Sequence, residues 1–204
     1  MPAASPSPRQ LPPDAAARVA ERLGDRSIVL VGMPGAGKTT IGRRLAHFLH
    51  LPFVDADVEI ERAAAMTIPE IFATYGEATF RDGEKRVIAR LLETPRRIVA
   101  TGGGAFMAEE TRAAIRAHAV SVWLKADVGV LLGRVRRKPN RPLLAADPEG
   151  TLRRLLEVRE PVFAAADITV QSFDIAHDAV VASLVTTLLE RLEASGAAAE
   201  ETAR

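Results

Sequence analysis

The chain has 204 residues, a formal net charge of +1 and no cysteine. That length suits one domain with a sizeable core. The charge excludes a general polyanion-binding bias, and the absence of cysteine excludes disulfides, a thiol nucleophile and a zinc–thiolate site. No apolar run reaches membrane-spanning length, and His47, His50, His118 and His177 form no metal signature.

Taken from the N-terminus, residues 1–13 are rich in Pro, Ala and Ser and lack the apolar centre of a secretory signal; they read as disordered. Asp14 is placed to cap a short helix through Leu23, closed by Gly24. Residues 1–26 therefore read as an extension outside a catalytic domain at 27–193, and the Ala/Glu-rich residues 194–204 as a flexible tail. Within the domain, β-branched and apolar runs predict strands at 27–31, 52–55, 97–101, 119–124 and 167–170. Helical spacing predicts helices at 38–50, 57–64, 68–74, 77–92, 108–117, 127–136, 150–160 and 175–193. This alternation argues for an α/β fold with a parallel sheet covered by helices on both faces.

Residues 32–39 read Gly-Met-Pro-Gly-Ala-Gly-Lys-Thr, a complete G-x-x-x-x-G-K-[ST] phosphate-binding loop. It follows a predicted strand and opens a predicted helix, as the chemistry requires. Its glycines let the backbone curl so that N–H groups meet phosphate oxygens at the positive end of the helix. Lys38 adds a point charge for the β- and γ-phosphates, and Thr39 offers a hydroxyl to Mg²⁺.

Four polar clusters follow. Asp55 and Asp57 end the second predicted strand. They suit a hydrated Mg²⁺ and a substrate hydroxyl, or equally the N-cap of the next helix. Arg81 sits early in a helix, where the dipole disfavours it. It suits either an anionic substrate or an i,i+3 pair with Glu84. Gly102, Gly103 and Gly104 follow the third strand, at the sheet edge where ligands bind in such folds, and permit close backbone approach. Arg134, Arg136, Arg137, Lys138 and Arg141 surround a proline-bearing loop at 137–149. Little aromatic interleaving speaks for nucleic acid there, and a lid bringing arginine over ATP phosphates fits better.

In this order the motifs resemble the shikimate kinase family: the phosphate loop, Asp55/Asp57, Gly76-Glu-Ala-Thr-Phe-Arg-Asp-Gly-Glu84, Gly102–Gly104, Arg141-Pro-Leu-Leu144 and Arg159-Glu-Pro161. The resemblance spans about Ser27 to Leu192. It implies a nucleoside-monophosphate-kinase-like fold with a five-stranded parallel sheet and a lid. It also implies transfer of the ATP γ-phosphoryl group to the 3-hydroxyl of shikimate, in aromatic amino-acid biosynthesis. By position, Gly35, Ala36, Gly37, Lys38, Thr39, Thr40, Arg134 and Arg141 would serve ATP, with Arg134 against adenine. Asp57 would hold and deprotonate the attacking hydroxyl. Arg81 and Arg159 would bind the carboxylate, and Gly103 and Gly104 would line the pocket. Thr39, and Asp55 through water, would hold Mg²⁺. The expected setting is a cytoplasmic monomer without nucleic-acid or membrane partners. Phe163 stands where the family often has Tyr. A gluconate-kinase-like enzyme and a non-catalytic regulatory relative are the alternatives; the latter should have lost Lys38, Asp57 or an acceptor arginine, and all are present.

Overall fold

The computed structural model describes residues 11–136, 147–173 and 176–202. Five short strands form one parallel sheet: β1 (Ser27–Val31), β2 (Phe53–Asp55), β3 (Ile98–Ala100), β4 (Ala119–Lys125) and β5 (Ile168–Gln171), in the order β2-β3-β1-β4-β5. Each lies within one residue of its expected bounds. β1 is the central strand and all five of its residues are buried, as a strand covered on both faces must be. The register sets Ile28 beside Ile98 on one side and beside Val120 on the other. Because β3 and β4 flank β1, the chain switches sides at the carboxyl end of β1. Open α/β sheets place their ligands at such a switch point, and here the phosphate loop begins.

The helices packed around the sheet are α1 (Ala15–Leu23), α2 (Lys38–Leu49), α3 (Ala56–Ala64), α4 (Ile68–Glu93), α5 (Glu109–His118), α6 (Val128–Arg136), α7 (Pro148–Phe163) and α8 (His177–Thr202), with a 3₁₀ turn at Ala105–Met107. α4 is entered through a capping box: Thr67 accepts from the Glu70 N–H, and Glu70 reaches back to the Thr67 N–H. Its two expected helices are the arms on either side of Gly76, which breaks the helical path at φ 78°, ψ 171°. α7 starts two residues earlier than expected, because Pro148 takes the first helical position and the Asp147 carboxylate caps the Gly150 N–H at 2.9 Å. It also runs past Pro161 to Phe163. The expected loop at 137–149 thus gives up its last two residues to α7, while 137–146, with Arg137, Lys138 and Arg141, lie outside the described residues.

The N-terminal extension departs most from expectation. α1 is not appended outside the domain: Ala15, Val19 and Leu23 are buried in the main core with the inner faces of the sheet and α8. Burying a Val or Leu side chain is worth about 1.5–3 kcal/mol. This seam, rather than the exposed Arg18–Glu193 ion pair, secures the helix. Asp14 stands at the N-cap position, but its side chain makes no cap hydrogen bond. α8 continues to Thr202, beyond the end expected at 193.

Phe163 is explained by packing. It is buried, with its ring 5.9 Å from Trp123 of β4 and 6.3 Å from Phe106 of the 3₁₀ turn. A tyrosine hydroxyl there would have to find a partner among apolar rings.

Candidate active site

The phosphate loop bends at Gly35 (φ 89°) and Gly37 (φ 98°), left-handed conformations that an L side chain resists. Gly37 is the residue from which α2 springs, so the loop's N–H groups and the positive end of α2 converge. Lys38 Nζ lies over the loop, donating to the carbonyls of Gly32 (2.8 Å) and Met33 (3.0 Å). Thr39 and Thr40 form the first turn of α2. Thr39 Oγ1 donates to Asp55 Oδ2 at 2.7 Å, bringing the two expected metal positions together.

Asp55 and Asp57 divide the two roles left open by the sequence. Asp55 is the N-cap of α3, its Oδ1 accepting from the Asp57 N–H at 3.1 Å, while its other oxygen faces Thr39. It caps α3 and accepts from the Thr39 hydroxyl. Asp57 is not the cap: its carboxylate turns toward Gly102, where a Cβ would stand 2.8 Å from Oδ1.

The triple glycine organises the acceptor side. None of the three has positive φ, so backbone conformation does not explain them. Space does. A Cβ on Gly102 would meet Glu84 Oε1 at 2.7 Å and Asp57; on Gly103, the Pro34 ring of the phosphate loop at 2.7 Å; on Gly104, the Arg81 guanidinium at 2.8 Å. Side chains in real structures do not approach that closely, so any larger residue would push one of these groups aside. Arg159 NH1 donates to the Gly103 carbonyl at 2.9 Å, adding the second arginine to the same strip.

Charge is concentrated here. Arg81 is gripped by Glu84 (2.7 Å) and Glu77 (3.2 Å), so the pairing reading and the substrate reading are compatible. Burial works against the Arg81 charge, but the Glu84 and Glu77 carboxylates outweigh it and raise its affinity for the proton. Burial pushes the Glu84 carboxyl above its ordinary range; Arg81 pulls it back, and Asp57 adds to the rise. Glu84 is 2% exposed, and its Oε1 is buried without a hydrogen-bond partner among the described residues. Burial, then the like charge of Arg81, lowers the proton affinity of Arg159. Two partly buried guanidinium groups at one glycine strip, Arg81 against Gly104 and Arg159 on the Gly103 carbonyl, have the charge and donor shape that suit a small carboxylate.

Arg134, expected against adenine, directs its guanidinium to the carbonyls of Gly35 (3.4 Å), Ala36 (3.2 Å) and Phe173 (2.7 Å) and to Ser172 Oγ (2.9 Å). Arg141 lies outside the described residues. No group of three or more metal-ligating side chains occurs among the described residues. Mg²⁺ beside a nucleotide needs none: it keeps waters and takes one or two protein oxygens plus phosphate, and the hydroxyl–carboxylate pair Thr39/Asp55 fits that donor set. Sequence reasoning did not single out Pro34 or Ser172. Pro34 stood inside the phosphate loop already recognised; Ser172, a lone serine after β5, carried no signal.

A family model described as shikimate kinase matches residues 34–190. A shikimate kinase of Bradyrhizobium diazoefficiens is 61% identical over 186 residues, covering 91% of this chain and 89% of that protein. Among solved structures, the shikimate kinase of Acinetobacter baumannii in complex with shikimate superposes with a TM-score of 0.77 at 36% identity, over 87% of this chain and 98% of that one. A gluconokinase from Sinorhizobium meliloti superposes at a TM-score of 0.57 with 17% identity, over 88% of this chain and 98% of its own, a likeness of fold alone.

Proposed function

The chain belongs to the shikimate kinase family, and we propose from that premise that it moves the ATP γ-phosphoryl group onto the 3-hydroxyl of shikimate. The products are ADP and shikimate 3-phosphate, on the route to aromatic amino acids. The observation that carries this reading is the glycine strip 102–104, which abuts Pro34 of the phosphate loop, Asp57 and Arg81 at once. An acceptor seated on it has its hydroxyls toward Asp57 and its carboxylate toward Arg81 and Arg159.

The roles follow from the chemistry. The loop from Gly35 to Thr40 cradles the phosphates, with the Ala36 N–H spent on the Met33 carbonyl, and Lys38 leaves its loop carbonyls to neutralise charge on the transferring group. Arg81 and Arg159 fix the acceptor through its carboxylate. The position of one hydroxyl against Asp57 is then set by the ring between them, which converts an encounter into an oriented attack. Asp57 accepts the proton of that hydroxyl as the bond to phosphorus forms. Thr39, and Asp55 through water, would hold Mg²⁺, which would supply further neutralisation of phosphate charge. Arg134 serves the nucleotide side, and Arg141 supplies a further positive charge to the phosphates.

All these residues come from one chain, so a monomer is sufficient, and a cytoplasmic setting suits a reaction that consumes ATP. Among the described residues no helix is long and apolar enough to cross a membrane. The test is product identity. Phosphorus NMR of a reaction with ATP, Mg²⁺ and shikimate should show one new monoester, coupled to the ring proton at carbon 3. A phosphate on another hydroxyl would mean that Asp57 does not select the attacking group.

A further inference from the structure

Phosphate loops work by turning N–H groups inward, so their carbonyls turn outward, and outward carbonyls need donors. Here the Ala36 carbonyl has two. Ser172 Oγ donates to it at 2.9 Å, and Arg134 NH1 donates to it at 3.2 Å. The same Arg134 nitrogen donates to Ser172 Oγ at 2.9 Å, so the hydroxyl is both acceptor and donor in a closed triangle. A donor whose oxygen is itself polarised by a guanidinium is strengthened. Ser172 is 1% exposed, so bulk water does not reach the position. Its own N–H bonds the Lys125 carbonyl at 2.6 Å, which ties it to the end of β4.

The Ala36 carbonyl and the Gly37 N–H belong to one planar trans peptide and point in opposite directions. Whatever fixes the first aims the second. Gly37, at φ 98°, is also the hinge from which α2 starts, where glycine's backbone freedom is greatest. Without an external hold the Ala36–Gly37 peptide would be free to rotate and turn its N–H from the phosphate side. Gly35 is walled by a Val135 methyl and the Leu131 carbonyl of α6, but neither is a donor that could hold the Ala36 carbonyl.

We propose that Ser172 is a positioning residue for the nucleotide: with Arg134 it clamps the Ala36 carbonyl, so that the Gly37 N–H faces the phosphates of ATP before ATP arrives. The proposal rests on the reading of residues 32–40 as the ATP site, and it concerns the nucleotide alone, since Ser172 touches no acceptor group.

The experiment is a series at one position, Ser172→Thr, Ser172→Cys and Ser172→Ala, which keeps, weakens and removes the donor. ATP and shikimate affinities are measured separately by calorimetry, and kcat and both KM values by ADP release. Losing one donor to a loop carbonyl is expected to raise the Kd and KM for ATP about five- to twentyfold in the alanine variant. The cysteine variant should be intermediate and the threonine variant within about twofold of wild type. kcat should fall less than KM rises, and shikimate affinity should not move. If the alanine variant does not fold, the threonine and cysteine variants still decide. Equal ATP affinity across the folded variants, or shikimate affinity falling in step with ATP affinity, would overturn the proposal. Wild-type protein that does not bind ATP would instead overturn the reading of residues 32–40.

Discussion

Thr39 Oγ1 and Asp55 Oδ2 are 2.7 Å apart, joined across the gap between the first turn of α2 and the end of β2. The same aspartate caps α3 through its other oxygen. One carboxylate therefore orients a helix start and presents an oxygen to the Thr39 hydroxyl, where a phosphate-bound cation would exchange one partner for another.

Asp55→Asn separates these two duties. Asparagine caps as well as aspartate, so thermal stability should stay within about 0.5 kcal/mol of wild type. The lost negative charge should raise the Mg²⁺ concentration for half-maximal activity about tenfold, read by titrating Mg²⁺ at fixed ATP. An unchanged Mg²⁺ requirement would leave Asp55 as a cap only.

Arg159→Lys keeps a charge and loses the planar fork. Losing a charge-assisted bond costs roughly 1.5–3 kcal/mol, so KM for shikimate should rise about ten- to a hundredfold, with KM for ATP little changed. Arg81→Lys should do the same with an added loss of stability, because Arg81 also holds the buried Glu84. Equal rises for both substrates would move these arginines from the acceptor to the fold.

Glu84 predicts a pH dependence. Its carboxyl is held above its ordinary value in the folded protein, chiefly by burial. The folded state then binds that proton more readily than the unfolded chain does. Ionising it costs stability as pH rises from the unfolded value of about 4.3 through the raised folded value. Glu84→Gln has no such proton. The stability of wild type minus that of Glu84→Gln, from denaturant melts between pH 4 and 8, should fall as pH rises and then level. A difference that grows with pH would mean that the Arg81 pair outweighs burial.

Leu23 tests whether α1 belongs to the domain. Leu23→Ala should cost about 2–5 kcal/mol by urea denaturation, as for other buried leucines, with kcat and both KM values unchanged. A cost under about 0.5 kcal/mol would restore α1 to the status of an attachment.

What was legible in the sequence was whatever a local pattern encodes. The phosphate loop has fixed letters, and β1 and β4 are apolar runs that could hardly be anything but buried strands. The Gly76 break was legible because glycine interrupts helical spacing. The structural role of α1 was not: the stripe Ala15, Val19 and Leu23 is short, and its contacts with α2 and with α8, more than 150 residues away, make it core. α7 passes Pro161 because a proline in a last turn forfeits a single bond and the buried Phe163 draws the chain onward. The glycine strip was legible as a close approach but not as an approach to which groups, since Pro34, Asp57, Glu84 and Arg81 meet there from three separate elements. Ser172 was silent because its role lies in a carbonyl 136 residues away.

Selection of shikimate and activation of its hydroxyl by Asp57, Arg81 and Arg159 around the glycine strip can be read from coupled ADP release with shikimate, gluconate and nucleoside monophosphates as acceptors, in wild type and Asp57→Asn. Shikimate alone should stimulate ADP release strongly. Asp57→Asn should lower the shikimate-dependent rate on the order of 10²–10⁴-fold, because an amide does not take the hydroxyl proton, while ATP still binds. Strong stimulation by gluconate or a nucleoside monophosphate, or an Asp57→Asn enzyme turning over shikimate at near the wild-type rate, would contradict it.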